Sequence, residues 1–500
     1  MVSVLSLKES PLALATDQYE LTMAMGFWKN GLTNLDAEFH MFFRSLPFDG
    51  GFVMMAGLET LIDTLANYRF TPSDLEYLAT LKDTAGEPLF EGAFLAYLED
   101  FRFTCDLQAI PEGTVVFPNE TLVRVQGPIL QAQLVESLIL NTLNFQSLIA
   151  TKAARVCLAA DGDPVVEFGL RRAQGLDGAL SASRSAYLGG CDGTSNTLAG
   201  KLYGIPLVGT HAHSWVMIFD TETEAFEAFA HAFPNNCVFL VDTYDSLEGV
   251  SQAAEVGKKL RDRGHKMLGV RLDSGDLAYF SIEARRILDE AGLEGAVVMA
   301  SNELDEYLIR SLKQQGARIG AWGVGTKLVT ANGESSLGGV YKLAAIRKGK
   351  DAPWDYKLKL SEQTAKISIP GIHQVVRYVD GSGRFIADGV LDAGEDPKAV
   401  EWIVDPNDIH RTKFLRGFRH VEPLLVDIYR KGVPVYEPPP LVDVRERAKA
   451  QLASLDASHK RFENPHRYPV GISPRLNALR EEMIRKFRMG KATAVAEAAK

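Results

Sequence analysis

The turn Gly209-Thr210-His211-Ala212-His213-Ser214 sets two imidazoles two residues apart, directly behind an apolar run. Imidazole titrates near neutrality, so such a pair suits either of two chemistries. Both rings could ligate a metal, or one could act as a nucleophile or acid–base group. A metal would need further ligands, and none of the other strand ends expected below carries a histidine. A histidine simply packed at a strand end is the bland reading; the carboxylates of the neighbouring clusters weigh against it. The second cluster, Arg271-Leu272-Asp273-Ser274-Gly275-Asp276, joins a cation, carboxylates, a hydroxyl and a glycine. Asp273 and Asp276 could hold ribose hydroxyls or Mg2+, and the free amides of a helix start suit a phosphate. Capping of the next helix by Ser274 or Asp276 explains one of these residues but leaves Arg271 unexplained. In Trp322-Gly323-Val324-Gly325-Thr326-Lys327, bare amides at Gly323 and Gly325, the Thr326 hydroxyl and an amine are the parts of a phosphate cradle. Neither GxxxxGK[ST] nor GxGxxG occurs, so a P-loop and a dinucleotide cofactor are not expected. A further glycine-rich loop, Gly189-Gly190-Cys191-Asp192-Gly193-Thr194-Ser195, reads equally well as a helix C-cap.

These clusters trail short apolar runs: Val165–Phe168, Ile205–Val208, Val238–Val241, Met267–Val270, Val297–Ala300 and Ile319–Val324. Helix-length amphipathic stretches separate them, among them Ser246–Arg263, Leu277–Ala291 and Glu303–Gln315. Such alternation predicts parallel strands with crossover helices. Polar groups gathered only at the strands' carboxyl ends converge on one mouth. The fold class expected is α/β, with an irregular (β/α) barrel-like core over residues 131–335; a doubly wound open sheet is the alternative. Residues 1–130 and 336–500 read as two segments of a second, α+β domain. The first holds a helix Asp17–Lys29, a strand Ala37–Phe43 and a helix from Pro72 to Leu81. Strands at Phe101–Gln108, Thr114–Phe117 and Leu122–Val125 follow, then one long helix Gln131–Ala160. The second is β-rich, with Val340–Ile346, Trp354–Leu360, and Val375–Asp380 joined to Arg384–Ala387 through the hairpin turn Asp380-Gly381-Ser382-Gly383. It ends in a charged helix, Arg475–Ala499.

Five hundred residues exceed what one core usually supports, which agrees with more than one domain. A net charge of −10 argues against nucleic acid or an anionic membrane as partner. Within that acidic body Arg171, Arg172, Arg184, Arg271 and Lys327 fall in or beside the strand-end clusters, which suits a small anionic substrate. No apolar run reaches the roughly 18–20 residues that cross a bilayer. Met1–Ser10 lacks the basic start of a secretory leader, and the four cysteines form no CxxC pair. A cytoplasmic protein with reduced thiols is expected.

Six stretches together resemble the nicotinate phosphoribosyltransferase family. They are Thr16-Asp17-Gln18-Tyr19-Glu20-Leu21-Thr22-Met23, Glu167-Phe168-Gly169-Leu170-Arg171-Arg172-Ala173-Gln174-Gly175, the Gly209–Ser214 turn, Val270–Leu277, Gly323-Val324-Gly325-Thr326 and Leu337-Gly338-Gly339-Val340-Tyr341-Lys342-Leu343. The C-terminal Asn464-Pro465-His466-Arg467-Tyr468-Pro469-Val470 adds to them. The resemblance implies that nicotinate and 5-phosphoribosyl 1-diphosphate give nicotinate mononucleotide and diphosphate, driven by ATP hydrolysis with Mg2+, in NAD salvage. It assigns His213 as the phosphohistidine and leaves His211 at the family's variable position. It also implies that Tyr19, Thr210 and Arg271 contact nicotinate and that Thr326 takes the phosphoribosyl phosphate. Phe168 and Arg171 resemble the ring-stacking and phosphate-side residues of the related nicotinamide enzymes. Asp192 and Asp273 resemble their base-side and ribose-side carboxylates. Ser274, Gly323 and Gly325 complete the expected substrate contacts, and no residue is assigned to a metal. The family implies a homodimer in which Tyr19 acts in trans. A nicotinamide phosphoribosyltransferase and, from another class, a metal-dependent barrel hydrolase using His211 and His213 are the competing readings.

Overall fold

A computed structural model describes residues 11–363 and 366–498 of the protein, with side chains as far as residue 488. Met1–Ser10 and Ala499, on which two of the expectations fall, lie outside the described residues. The chain divides into two compact units, Ile149–Ser335 and the pair Met1–Leu148 with Ser336–Lys500. The division falls inside the helix Glu136–Ala160, later than the boundary expected at residue 131.

The unit Ile149–Ser335 is built on six parallel strands: β1 Val165–Glu167, β2 Gly193–Thr194, β3 Val238–Leu240, β4 Gly269–Leu272, β5 Val297–Ala300 and β6 Ala321–Val324. Their order across the sheet is β2-β1-β6-β5-β4-β3. Val165, Val166, Phe239, Leu240, Val270, Leu272, Val298 and Trp322 are all buried. A parallel sheet covered on both faces needs such continuous apolar runs. Five of the six expected strands are present. The exception is Ile205–Val208, where Leu207 makes a single parallel bridge to Thr194. Pro206 lends its carbonyl to the Thr194 amide but has no N–H to extend the ladder. The strand that does form beside it, Gly193–Thr194, is too short and too polar to stand out as an apolar run. Carboxylate or amide side chains cap the crossover helices: Asn196 caps Thr197–Tyr203, Asp245 caps Ser246–Asp262, Asp276 caps Leu277–Glu290 and Asp305 caps Glu306–Gln314.

In the other unit the two chain segments share one antiparallel sheet, as expected. The strand Asp36–Phe43 lies between Gly339–Arg347 and Val123–Pro128, paired with the former from Asp36 opposite Arg347 to Phe43 opposite Gly339 with a register shift between Glu38 and Phe39. Asp106–Ala109 and Val426–Arg430 continue that sheet. A second sheet of six strands centres on His373–Asp380 and Phe385–Asp392, joined by the expected hairpin turn. Several expectations shrink: Phe101–Gln108 is a strand only over Asp106–Ala109, Thr114–Phe117 only over Val115–Val116, Trp354–Leu360 pairs only at Asp355–Tyr356, and the helix Gln131–Ala160 breaks at Val135 into Ile129–Leu134 and Glu136–Ala160.

Beneath the parallel sheet the start of helix Glu306–Gln314 is tied inward by charge. The Glu306 carboxylate, fully buried, meets Lys152 Nζ at 2.7 Å and Arg155 Nε at 2.8 Å. Removing one member of a buried ion group strands the others in low dielectric. Glu306→Ala is therefore expected to cost ~3–5 kcal/mol of unfolding free energy in a urea titration; a loss below about 1 kcal/mol would mean the group contributes no more than an exposed pair.

Candidate active site

The carboxyl ends of the strands meet around the guanidinium of Arg271, the third residue of β4. Its Nε donates to Ser301 Oγ at 2.8 Å, Nη1 to Thr210 Oγ1 at 3.1 Å and Nη2 to Asp273 Oδ1 at 3.0 Å. Its Cζ lies 5.4 Å from the centroid of the Phe168 ring. Ser301 follows β5, Thr210 belongs to the turn after Leu207, and Phe168 follows β1. One side chain thus ties together the ends of β1, β4 and β5 and the turn after Leu207. An arginine has five N–H donors, so these three bonds leave two for a ligand.

Carboxylates hold the surrounding loops. Asp242, just past β3, accepts the Asp273 amide at 2.8 Å and the Ser274 hydroxyl at 2.7 Å through Oδ2, while its Oδ1 is buried without a partner. Glu167, buried at the end of β1, accepts the Gly169 amide, Ser183 Oγ at 2.8 Å and Thr194 Oγ1 at 2.6 Å. It thereby fixes the turn that carries Arg171 and Arg172, both exposed to solvent. Ser301 Oγ donates to Asp273 Oδ1, completing a closed triangle with Arg271. His213 starts a short helix, with Nδ1 3.1 Å from Thr243 Oγ1 and Nε2 4.0 Å from Asp273 Oδ2. Its side chain is 41% exposed. Behind Ser301 the chain runs through two successive left-handed residues, Asn302 (φ 83°) and Glu303 (φ 37°).

The structure brings together Phe168, Thr210, His213, Arg271, Asp273 and Ser274, but several expected residues have other surroundings. Asp192 lies at the amino end of β1, where its amide donates to the Val165 carbonyl and its carboxylate accepts the Val165 amide at 2.9 Å. That end of the sheet is opposite the mouth, so Asp192 is not a base-side carboxylate here. Gly323 is not an open cradle: a Cβ there would come within 2.6 Å of the Phe168 ring, so its lack of a side chain makes room for that ring. Gly325 and Thr326 begin the short helix Thr326–Val329, held beside Phe168 by the bond from the Phe168 amide to the Val324 carbonyl. Lys327 turns instead to Asp305, at 2.8 Å. Arg184 is buried within the helix Gly175–Leu188 and does not belong to a basic rim. Asp276 caps the next helix, as the bland reading had it.

His211 points away from His213, so the two rings do not form a metal pair. It packs among Phe226, Phe229 and Phe239, and burial drives its pKa down to about 4. Among the described residues no group of three histidine, cysteine or acidic side chains could hold a metal alone. Tyr19 lies in the other unit, on the helix Gln18–Lys29; burial, with Glu136, Glu20 and Asp17 nearby, pushes its phenol up to about 12. Glu167, Asp242, Thr243 and Ser301 have no role assigned from the sequence, although each stands within three residues of a strand's carboxyl end.

A parallel α/β core that gathers a guanidinium, an exposed imidazole and carboxylates at one mouth belongs to the barrel-like enzymes, whose chemistry sits at that end of the strands. Comparison with known proteins narrows the class. Residues 14–144, 164–357 and 372–480 match the N-terminal domain, family and C-terminal domain models of nicotinate phosphoribosyltransferase. The nicotinate phosphoribosyltransferase of Bacillus subtilis (strain 168) is 41% identical over 472 residues, covering 93% of this chain and 94% of its own. That of Bos taurus is 34% identical over 525 residues, covering 93% of this chain and 95% of its own. The crystal structure of human nicotinic acid phosphoribosyltransferase superposes with a TM-score of 0.80 at 32% identity, over 93% of this chain and 99% of that one. The chain belongs to the nicotinate phosphoribosyltransferase family.

The contact between Gly323 and Phe168 can be tested directly. Gly323→Ala is expected to push the ring off the Arg271 guanidinium and reduce kcat/KM for the pyridine substrate by ~100-fold, the scale of a misplacement near 1 Å. Unchanged kcat/KM in steady-state assays would show that the ring takes no part.

Proposed function

We propose that the chain joins nicotinate to 5-phosphoribosyl 1-diphosphate, releasing nicotinate mononucleotide and diphosphate for NAD salvage, and that ATP drives the reaction through a phosphohistidine at His213. The observation that carries this reading is Arg271, whose two remaining donors match a planar carboxylate beside the stacking face of Phe168. Thr210 and Tyr19 complete the nicotinate site. The pyridine nitrogen attacks C1′ of the sugar as the C1′–O bond breaks, and the electron pair leaves with the diphosphate. Asp273 faces the positive charge that builds on the ribose, while Arg171 and the amides and hydroxyls at Ser274, Gly325 and Thr326 take the phosphates.

The imidazole of His213 is suited to the coupled step. Nδ1 is occupied by Thr243, whereas Nε2, 4.0 Å from Asp273 Oδ2 on a side chain 41% exposed, can attack the γ-phosphorus of ATP, expelling ADP. Water later releases the phosphoryl group as phosphate. A phosphorylated ring beside Asp273 would repel that carboxylate and alter how the sugar diphosphate is held. The partnerless buried oxygen of Asp242, with Asp273 next to it, fits a Mg2+ ion bound mainly through substrate oxygens. Mg2+ neutralises charge on the departing diphosphate when it is bound.

A homodimer with Tyr19 acting in trans is part of this reading, and exposed apolar side chains suit an interface between subunits. Leu176, Met217 and Ile218 stand exposed, as do Leu198 and Leu202 on one helix, with Leu207 lying against Gly200 of the same helix. Four free cysteines, and the lack of any described helix long and apolar enough to cross a membrane, suit a cytoplasmic enzyme.

His213→Ala is expected to fold normally but to form no acid-labile phosphoenzyme from γ-labelled ATP and to lose ATP stimulation of nucleotide formation. Labelling that persists would move the phosphorylation elsewhere. Arg271→Ala should raise the KM for nicotinate by ~10-fold or more while leaving that for ATP nearly unchanged; equal effects on both would remove the carboxylate clamp. Mixing Tyr19→Ala with His213→Ala subunits should restore activity if the tyrosine serves its partner's site, and none should return if it serves its own.

A further inference from the structure

The row of parallel strands has two ends, Leu207 beside β2 and the outer edge of β3. On its inner side β3 is satisfied by β4, to which the Val241 amide donates through the Arg271 carbonyl. On the outer side no strand of the described residues pairs with it. The Leu240 amide faces that way, in a residue 1% exposed, and a buried backbone donor needs an acceptor. The acceptor is His211: Leu240 N lies 3.2 Å from its Nε2.

We propose that His211 is a positioning residue for the phosphoryl-accepting site, its neutral imidazole replacing the missing strand carbonyl and pinning the Gly209–His213 turn to the open edge of β3. The inference rests on the reading of His213 as phosphohistidine. Nε2 can accept only if the ring's single proton sits on Nδ1, and Nδ1 lies 3.4 Å from the Ala212 carbonyl, an acceptor that favours that tautomer. Burial among aromatic rings, the largest influence on it, keeps the ring uncharged, against the smaller opposing pull of the Ala212 carbonyl. The helix Glu222–Ala232 presents Phe226 and Phe229, and β3 presents Phe239. The titratable groups acting on it are Arg271 from β4 and His213 from its own turn, and both disfavour a second proton. The turn so held delivers Thr210 to Arg271 on one side of His211 and His213 to Thr243 and Asp273 on the other. Without the strut, Arg271 keeps Ser301 and Asp273, so nicotinate binding should survive better than phosphorylation.

Two substitutions separate the acceptor from the bulk of the ring. Leucine fills the phenylalanine pocket but accepts nothing, whereas glutamine puts its amide oxygen near the place of Nε2. For His211→Leu we expect phosphoenzyme formation and kcat to fall ~10- to 100-fold, with the KM for nicotinate changed only a few-fold and Leu240 amide exchange accelerated ~10-fold or more. His211→Gln should recover most of the rate and the protection. Leucine behaving like wild type, or glutamine no better than leucine, overturns the proposal. If His211→Leu does not fold, His211→Asn against His211→Gln carries the same test, because asparagine is too short to reach Leu240; equal rates would refute it. A wild-type enzyme that forms no phosphoenzyme refutes the phosphohistidine reading instead. The strut is then judged on the Leu240 amide, and unchanged protection in the leucine variant overturns it.

Discussion

The mouth of the parallel sheet is organised by one planar cation. Arg271 leaves β4 with its side chain half-buried and spreads its donors to a hydroxyl behind β5, a hydroxyl in the turn after Leu207 and a carboxylate two residues ahead, with an aromatic face alongside. Thr210 is 61 residues away in the chain, so the bond joins loops that local structure alone could not align. A lysine could supply the charge but not the fixed fork that meets three acceptors and still presents two hydrogens in one plane.

Around that fork the polar groups divide their labour. Both oxygens of Glu167 and Oδ2 of Asp242 accept backbone amides and hydroxyls and so keep the loops still, while Asp242 Oδ1 is left without a partner. Arg171 and Arg172 are exposed and the His213 side chain is 41% exposed. Such a layout sets preorganised donors inside the mouth and leaves these side chains facing solvent.

The sequence disclosed most of this because the pattern of apolar runs followed by reactive residues is local. Strands β1, β3, β4, β5 and β6 were legible as runs of valine and its kin, and the helices between them as amphipathic stretches. The pairing of Asp36–Phe43 with Gly339–Arg347 was legible only as a general expectation, since register depends on partners three hundred residues apart. Gly193–Thr194 was not legible, because two small residues make a strand only when their neighbours in space supply the ladder. For the same reason the place of Asp192, two residues upstream of Thr194 at the amino end of the sheet, was not legible. Arg184 and Lys327 looked like rim cations by position, yet one is buried and the other is neutralised by Asp305; sequence records charge but not direction. Gly323 was read for its amide, whereas what matters is the space it leaves for Phe168.

Asn302 and Glu303 carry a different kind of consequence. Left-handed backbone at a residue with a side chain costs about 1–3 kcal/mol at each position. Glycine would relieve that cost, but it would also enlarge the range of conformations open to the segment behind Ser301. Holding two such residues in succession therefore trades thermal robustness for a narrow range of hydroxyl positions. Heat resistance in this scaffold has to be gained away from β5, because relaxing that corner loosens the grip on the guanidinium it serves.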